Sequence, residues 1–167
     1  MDDGRLREVY AVAYPRLVGQ LAGVTGDPAE AEDVVMEAFA RAAARPREFA
    51  EIDNPEAWLR TVAVNLARSR WRRMLRRSHL LPQLGAPSAY ADLADDRLAL
   101  MAALRRLPAT QREAIALHHL ADLPVAEVAR TLGVPEGTVK ARLARGRAAL
   151  AVLLETPDKE DDVVERR

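Results

Sequence analysis

Residues 125–143, VAEVARTLGVPEGTVKARL, leave the chain few choices of local structure. Val125, Val128, Ala129 and Leu132 recur at three- and four-residue spacing, the period of one buried helical face. Gly133 follows, and a glycine directly behind a helical run can take the positive φ that ends a helix and turns the chain. After the turn 133–135 a second helix starts at Glu136 and runs to about Leu154, with Val139 and Leu143 renewing the apolar face. Ala129 is small where the two helices must approach, and Val128, Leu132, Val134, Val139 and Leu143 make up a small shared core. These are the proportions of a helix-turn-helix, although an ordinary helical hairpin uses similar apolar spacing.

The outer face of the second helix separates the two readings. At 100° per residue from Glu136, the residues Val139, Leu143, Gly146, Leu150 and Leu153 gather on one side, while Thr138, Ala141, Ala144 and Arg145 lie opposite, flanked by Lys140 and Arg142. A solvated helix face more often mixes Glu with Arg at i,i+4, whereas here Glu136 stands alone at the N-terminus, where it suits the helix dipole. Cations around a centre stripped of bulk suit entry into a DNA major groove, with Arg or Lys reaching guanine edges or phosphates.

The rest of the chain is also helical in period, and nearly half of it is apolar with only 4 % aromatic residues, so the expected fold class is all-α. A first helix is expected from Gly4 to about Val24, bent or split at Pro15. Asp27 as N-cap, Pro28 at N1 and Glu30 at N3 launch a second, to about Ala44. A loop RPREFAEIDNPEA follows, and Asp53 or Asn54 caps a third helix running through WLRTVAVNLARSRWRRMLRR. Between residues 78 and 91 two prolines and a glycine without helical period read as a flexible linker. Beyond it lie helices from about Asp92 to Leu107, from Pro108 to about Leu120, and the pair already described. Two small helical domains follow, 4–77 and 92–154, with an acidic tail 155–167.

Charge is distributed in blocks although the chain nets to zero. Residues 1–40 hold eight acids and three bases, 60–77 hold seven arginines and no acid, and 151–167 hold six acids and three bases. On the third helix the apolar stripe Trp58, Leu59, Val62, Ala63, Leu66 stops short of the helix end, and Thr61, Asn65, Arg68 and Arg72 form a polar and cationic row beside it, with Trp71 nearby for stacking. A snorkelling surface helix would scatter acids among its arginines; their absence between Arg60 and Arg77 favours nucleic-acid contact. The preceding helix is the reverse, with Glu30, Glu32, Asp33 and Glu37 in its first turns. Capping and dipole chemistry account for part of that; the i,i+4 pair Asp33 and Glu37, beside Met36 and Ala40, either docks on a basic helical partner or faces water.

Several function classes are disfavoured. With no cysteine, and with His79, His118 and His119 lacking the i,i+4 spacing of two ligands on a helix face, neither a metal site nor another cofactor is expected. Glycine-rich phosphate loops and His–carboxylate pairings by spacing are missing, so the chain is not expected to be an enzyme. No apolar run approaches the roughly 18 residues of a membrane span, and the opening MDDGRLREVY is acidic where a signal peptide is basic and then apolar, so a cytoplasmic protein without membrane insertion is expected.

Taken together, AEDVVMEAFARA, NPEAWLRTVAVNLARSRWRR and LRRLPATQREAIALHHLADLPVAEVARTLGVPEGTVKARLARGRAAL resemble a bacterial RNA polymerase sigma factor of the extracytoplasmic-function type, and the NPEAWLRTVAVNLA phrase resembles its actinobacterial, sigma-E-like branch. The resemblance implies a region-two domain at 4–77 and a region-four domain at 92–154. It implies that Asp33, Met36, Glu37 and Ala40 contact the β′ clamp helices of core polymerase, and that the loop 46–56 with the start of the next helix captures an unpaired base of the minus-ten element. Asn65 would read sequence there, with Thr61 in the same row and Arg68, Arg72 and Arg73 holding backbone. Thr138, Lys140, Ala141, Arg142, Ala144 and Arg145 would fall on the minus-thirty-five recognition helix. Further partners implied are the polymerase β flap, promoter DNA and an anti-sigma protein. Met36 stands where the family usually has Gln, Pro124 where it has Ser or Thr, and Ala141 and Ala144 where it has bulkier or hydroxylated residues.

Two rival readings use the same residues. One is a self-sufficient regulator that dimerises through residues 1–77 and binds DNA by the helix-turn-helix; the other is a helical adaptor that binds protein only.

Overall fold

The computed structural model describes residues 3–77 and 95–155, and every regular element in them is helical. The linker 78–91, residues 92–94, His79 and residues 156–167 of the tail lie outside the described residues. The N-terminal unit comprises α1 (Asp3–Thr25), α2 (Pro28–Ala44), the short α3 (Pro46–Ala50) and α4 (Pro55–Arg77). The C-terminal unit comprises α5 (Asp95–Arg106), α6 (Ala109–Ile115), a π-helical turn (Ala116–Leu120), α7 (Val125–Leu132) and α8 (Glu136–Glu155).

Local chemistry sets most boundaries. Asp27 caps α2 by accepting from the Ala29 amide at 2.9 Å, and Asn54, rather than Asp53, caps α4 by accepting from the Ala57 amide at 3.0 Å. Gly133 ends α7 at φ 66°, ψ 36°; a Cβ there would meet nothing, so the backbone angle alone demands glycine. Three expectations need correction. Pro15 does not split α1, which runs unbroken from Asp3 to Thr25: it and Ala11, whose carbonyl loses its partner, both face solvent. The loop after α2 is partly helical, as α3, with Phe49 buried against Trp58. The helix that opens at Ala109 widens at Ala116–Leu120, where the Ala121 amide donates to the Ala116 carbonyl at 3.0 Å.

The N-terminal core sets Leu17 and Leu21 of α1 against Val34, Val35 and Phe39 of α2 and Leu59, Ala63 and Val64 of α4. In the C-terminal unit Ile115, Leu117, Val128, Leu132, Val139 and Leu143 converge. Gly146 lets α8 close on α6, since a Cβ there would lie 2.8 Å from Ile115 Cγ1. The two units also pack on one another: buried apolar residues run through both, and α1 packs on α6 and the π turn while α4 touches α7.

Candidate functional site

On α4 the expected row is only partly open. Asn65, Arg72 and Arg73 are exposed and Thr61 is half-buried. Arg68 instead crosses to the other unit, where its Nη1 donates to the Leu132 carbonyl at 2.9 Å and its Nε lies 3.8 Å from Glu113 Oε1. The run of arginines from 60 to 77 has acidic partners after all, supplied by other helices and by Glu56 at the start of α4 itself. Arg60 is buried, donating from Nε to Gln20 Oε1 at 2.9 Å with Glu56 at 3.6 Å. Arg70 binds three carboxylates of α2: Glu37 at 2.9 Å, Glu30 at 3.4 Å and Asp33 at 3.9 Å. Partial burial works against the charge, but Glu37 and Glu30 hold the Arg70 guanidinium above its usual range. Sequence reasoning missed Arg70 because the pairing is tertiary; Glu37 and Arg70 are 33 residues apart.

The acidic face of α2 is therefore organised from below. Asp33, Met36 and Ala40 are exposed and Glu37 is half-buried. The Tyr10 hydroxyl reaches Met36 Sδ at 3.9 Å, and Tyr10 stacks on Tyr14 at 4.7 Å and edge-on to Phe39 at 5.1 Å. The result is an exposed apolar pair, Tyr10 and Met36, beside anions that Arg70 orients.

Beside α3 and the start of α4 lies an open pocket of about 650 Å³ lined by Arg41, Arg45, Phe49, Ile52, Trp58 and Val62 among others. Its edge is pinned by Arg5, which donates to the carbonyls of Ala50 and Ile52. An apolar floor with two cations at the rim suits a planar base and its phosphate. Phe49 and Ile52 fall in the loop 46–56 that the resemblance marks for base capture, Trp58 and Val62 belong to the apolar stripe of α4, and Arg41 and Arg45 carry no signal in the sequence.

In the C-terminal unit Lys140, Ala141, Ala144 and Arg145 are exposed and Thr138 is half-buried. Thr138, Ala141 and Arg145 border a shallow groove of about 520 Å³ that also takes in Thr110 and Gln111 of α6, two residues sequence reasoning passed over, whereas Lys140 and Ala144 lie outside it. Arg142 departs from expectation: it is half-buried, and its Nη1 is shut from solvent with no hydrogen-bond partner among the described residues. Near it the buried Glu113 pairs with Arg68 and feels the charges of Arg112, Arg142 and Arg72. Burial outweighs these four arginines and pushes the Glu113 carboxyl up. His119, which accepts from Arg147 Nε at 3.2 Å, is held below its usual range by burial, His118 and Arg147.

Among the described residues there is no cluster of three or more potential metal ligands, and no helix is long and apolar enough to cross a membrane.

Comparisons with known proteins fit this geometry. Residues 7–78 match the family described as Sigma-70 region 2, and residues 97–150 match Sigma-70, region 4. The chain is 33 % identical over 163 residues to an RNA polymerase sigma-E factor of Streptomyces antibioticus, covering 95 % of this chain and 89 % of the relative. It is 35 % identical to the ECF RNA polymerase sigma factor SigM of Mycobacterium tuberculosis, over 84 % of this chain and 73 % of that one. Among solved structures, the sigma factor RpoE in complex with the anti-sigma factor NepR from Bartonella quintana superposes with a TM-score of 0.72 at 28 % identity, covering 90 % of this chain and 96 % of the other. CnrH in complex with the cytosolic domain of CnrY gives 0.62 at 25 % identity, covering 90 % and 87 %. With region-two and region-four matches in order and relatives of this identity spanning nearly its whole length, the chain belongs to the extracytoplasmic-function family of RNA polymerase sigma factors.

Proposed function

We propose that the chain initiates transcription by binding core polymerase through α2, trapping unpaired minus-ten bases on the N-terminal unit and gripping the minus-thirty-five duplex with α8. The observation that carries this division of labour is the exposed row Asn65, Arg72, Arg73 beside the Trp58 pocket in one unit, matched by the cationic, small-centred face of α8 in the other. The domain limits are 4–77 and 92–154.

In this reading Lys140 and Arg145 hold phosphate or reach base edges in the major groove, while Thr138, Ala141 and Ala144 keep the approach shallow. Arg142 joins them when its guanidinium turns outward. The pocket lined by Phe49, Ile52 and Trp58 receives a base that has left the stack, Asn65 reads its neighbour, and Thr61, Arg68, Arg72 and Arg73 hold the strand. Unstacking costs a few kcal/mol per step, which stacking and phosphate contacts of this kind offset. Asp33, Met36, Glu37 and Ala40 present anions and apolar side chains to the β′ clamp helices, and the exposed Val152 and Leu154 of α8 lie on the unit that meets the β flap. No reaction is assigned to the chain; polymerase does the chemistry, and the chain works where polymerase does, in the cytoplasm. An anti-sigma protein is a further partner, as NepR is for the Bartonella quintana relative.

The test is retention on purified core polymerase. Wild-type chain should elute with core, and Asp33→Arg combined with Met36→Arg should release it. A symmetric footprint on duplex without polymerase would instead identify the dimeric regulator. Activity that survives loss of Arg72 and Arg145 would identify the adaptor.

A further inference from the structure

The helix α3 is five residues long, too short to persist without help from its surroundings. Its end is held from α1, by one side chain some 45 positions away: Arg5 donates from Nη1 to the carbonyl of Ala50, the last residue of α3, and from Nη2 to the carbonyl of Ile52 at 2.6 Å. A guanidinium suits the task, because its fork reaches two carbonyls at once and its charge meets the negative end of the helix.

The far end of the same stretch is held from the same helix. Arg16 pairs with Glu56 in the first turn of α4, Glu56 lies 3.6 Å from Arg60, and Arg60 returns to α1 by donating to Gln20 at 2.9 Å. Arg5 and Arg16 are eleven residues apart, three helical turns, so both stand on one face of α1 about 16 Å apart. Residues 50–56 are therefore fastened to that face at Ala50, Ile52 and Glu56, beside the pocket that Phe49, Ile52, Trp58 and Val62 line. Neither Arg5 nor Arg16 lines the pocket. An ion pair as open as Arg16–Glu56, where the Arg16 side chain is 56 % exposed, adds little to stability, which leaves placement of the loop as its effect.

We propose that Arg5 and Arg16 are positioning residues for base capture: they hold residues 50–56 in the shape that receives an unpaired base before DNA arrives, without touching that base. The inference rests on the base-capture reading of the pocket and adds to it a preformed site governed by α1. A preformed site avoids the ordering that a loose loop would take out of binding, and a pocket formed a tenth of the time binds about tenfold more weakly. Arg5 and the captured base should therefore act as one unit.

The test is an abasic scan of the non-template strand, read as run-off transcript at limiting holoenzyme. The template is premelted across the minus-ten element of a promoter that core polymerase transcribes with the full chain. Wild type should show one position whose abasic form lowers transcript about tenfold, the loss of one stacked base. Arg5→Ala should lose a similar factor on the intact template and almost nothing further at that position, so the peak in the scan flattens. Arg5→Lys keeps the charge without the fork and should lower the peak part-way, and Arg16→Ala should lower it as well. A peak kept by Arg5→Ala, whether transcript falls equally on every template or not at all, would make Arg5 a structural residue only and overturn the proposal; a peak kept by Arg16→Ala alone would remove Arg16 from it. Where Arg5→Ala fails to fold by circular dichroism, Arg5→Lys decides in its place by the same criterion. A scan that is flat in the wild type sinks the base-capture reading itself, an outcome distinct from a peaked scan that the variants leave peaked.

Discussion

Arg145→Ala gives the sharpest reading of the α8 face, because Arg145 is exposed. It borders the groove shared with Thr110, Gln111 and Thr138, so its guanidinium is free to meet a phosphate or a base edge. One lost phosphate contact lowers the salt slope by about 0.9, and over a fourfold rise in salt the gap between variant and wild type narrows by roughly 3.5-fold. A base-edge contact behaves otherwise: it costs about 1–3 kcal/mol on the preferred sequence, changes little with salt, and disappears on random duplex. Fluorescence anisotropy on a preferred and a scrambled 25-base-pair duplex, each at 50, 100 and 200 mM salt, separates the two. The expected result is weaker binding on both duplexes at 50 mM with a gap that closes as salt rises. Arg145→Lys should keep most of the slope, since it keeps the charge. Less than a twofold loss at 50 mM on either duplex would refute the placement of this face against DNA, and a gap that widens with salt would refute the phosphate assignment.

Asn65→Ala should relax base discrimination in the minus-ten element with little change in salt dependence, read by run-off transcription across single-base template variants; equal loss on every template would count against a reading role. Arg70→Gln should cost about 1 kcal/mol of stability and weaken retention on core polymerase several-fold by letting Glu30, Asp33 and Glu37 repel one another, with Arg70→Lys restoring part of the retention; unchanged retention would remove Arg70 as the organiser of that face. Because burial raises Glu113 in the folded state, its contribution to stability is fully present below the unfolded value near 4.5 and lost as pH rises through the folded one. Glu113→Gln should therefore remove a component of stability that favours acid, and the shift in urea midpoint from pH 7.5 to pH 5 should be less positive than in wild type; identical pH dependence would show that Glu113 is not held up by burial.

Much of the fold was written in local chemistry. Asp27 before Pro28 and Gly133 behind Leu132 act through neighbours within a few residues, and the helical period alone put Val139, Leu143 and Gly146 on one inward face, so sequence spacing sufficed to place them. Pro15 was misjudged because its cost depends on whether the freed carbonyl finds water, and solvent exposure is a tertiary property. The π turn was invisible for a related reason: its register answers to α1 crossing at Gly23, a contact between residues some ninety positions apart. The arginine-rich run was legible as a block of charge but not residue by residue. Arg60, Arg68 and Arg70 spend their charge inside the molecule, while Arg72 and Arg73 point outward, and only the packing of α4 on its neighbours sorts them. The family resemblance marked the loop 46–56 and the start of α4, but local pattern could not show the pocket there, because it is assembled from three helices and pinned by Arg5, which no local pattern links to residues 50–52.

The most direct test of the account is run-off transcription from a randomised promoter library by purified core polymerase with and without this chain, sequencing the templates that yield transcript. The account predicts transcripts only when the chain is present, from templates that share an upstream duplex motif and a downstream melted motif at one fixed spacing. Transcript that is independent of the chain, or enriched templates carrying a single symmetric motif, would contradict it.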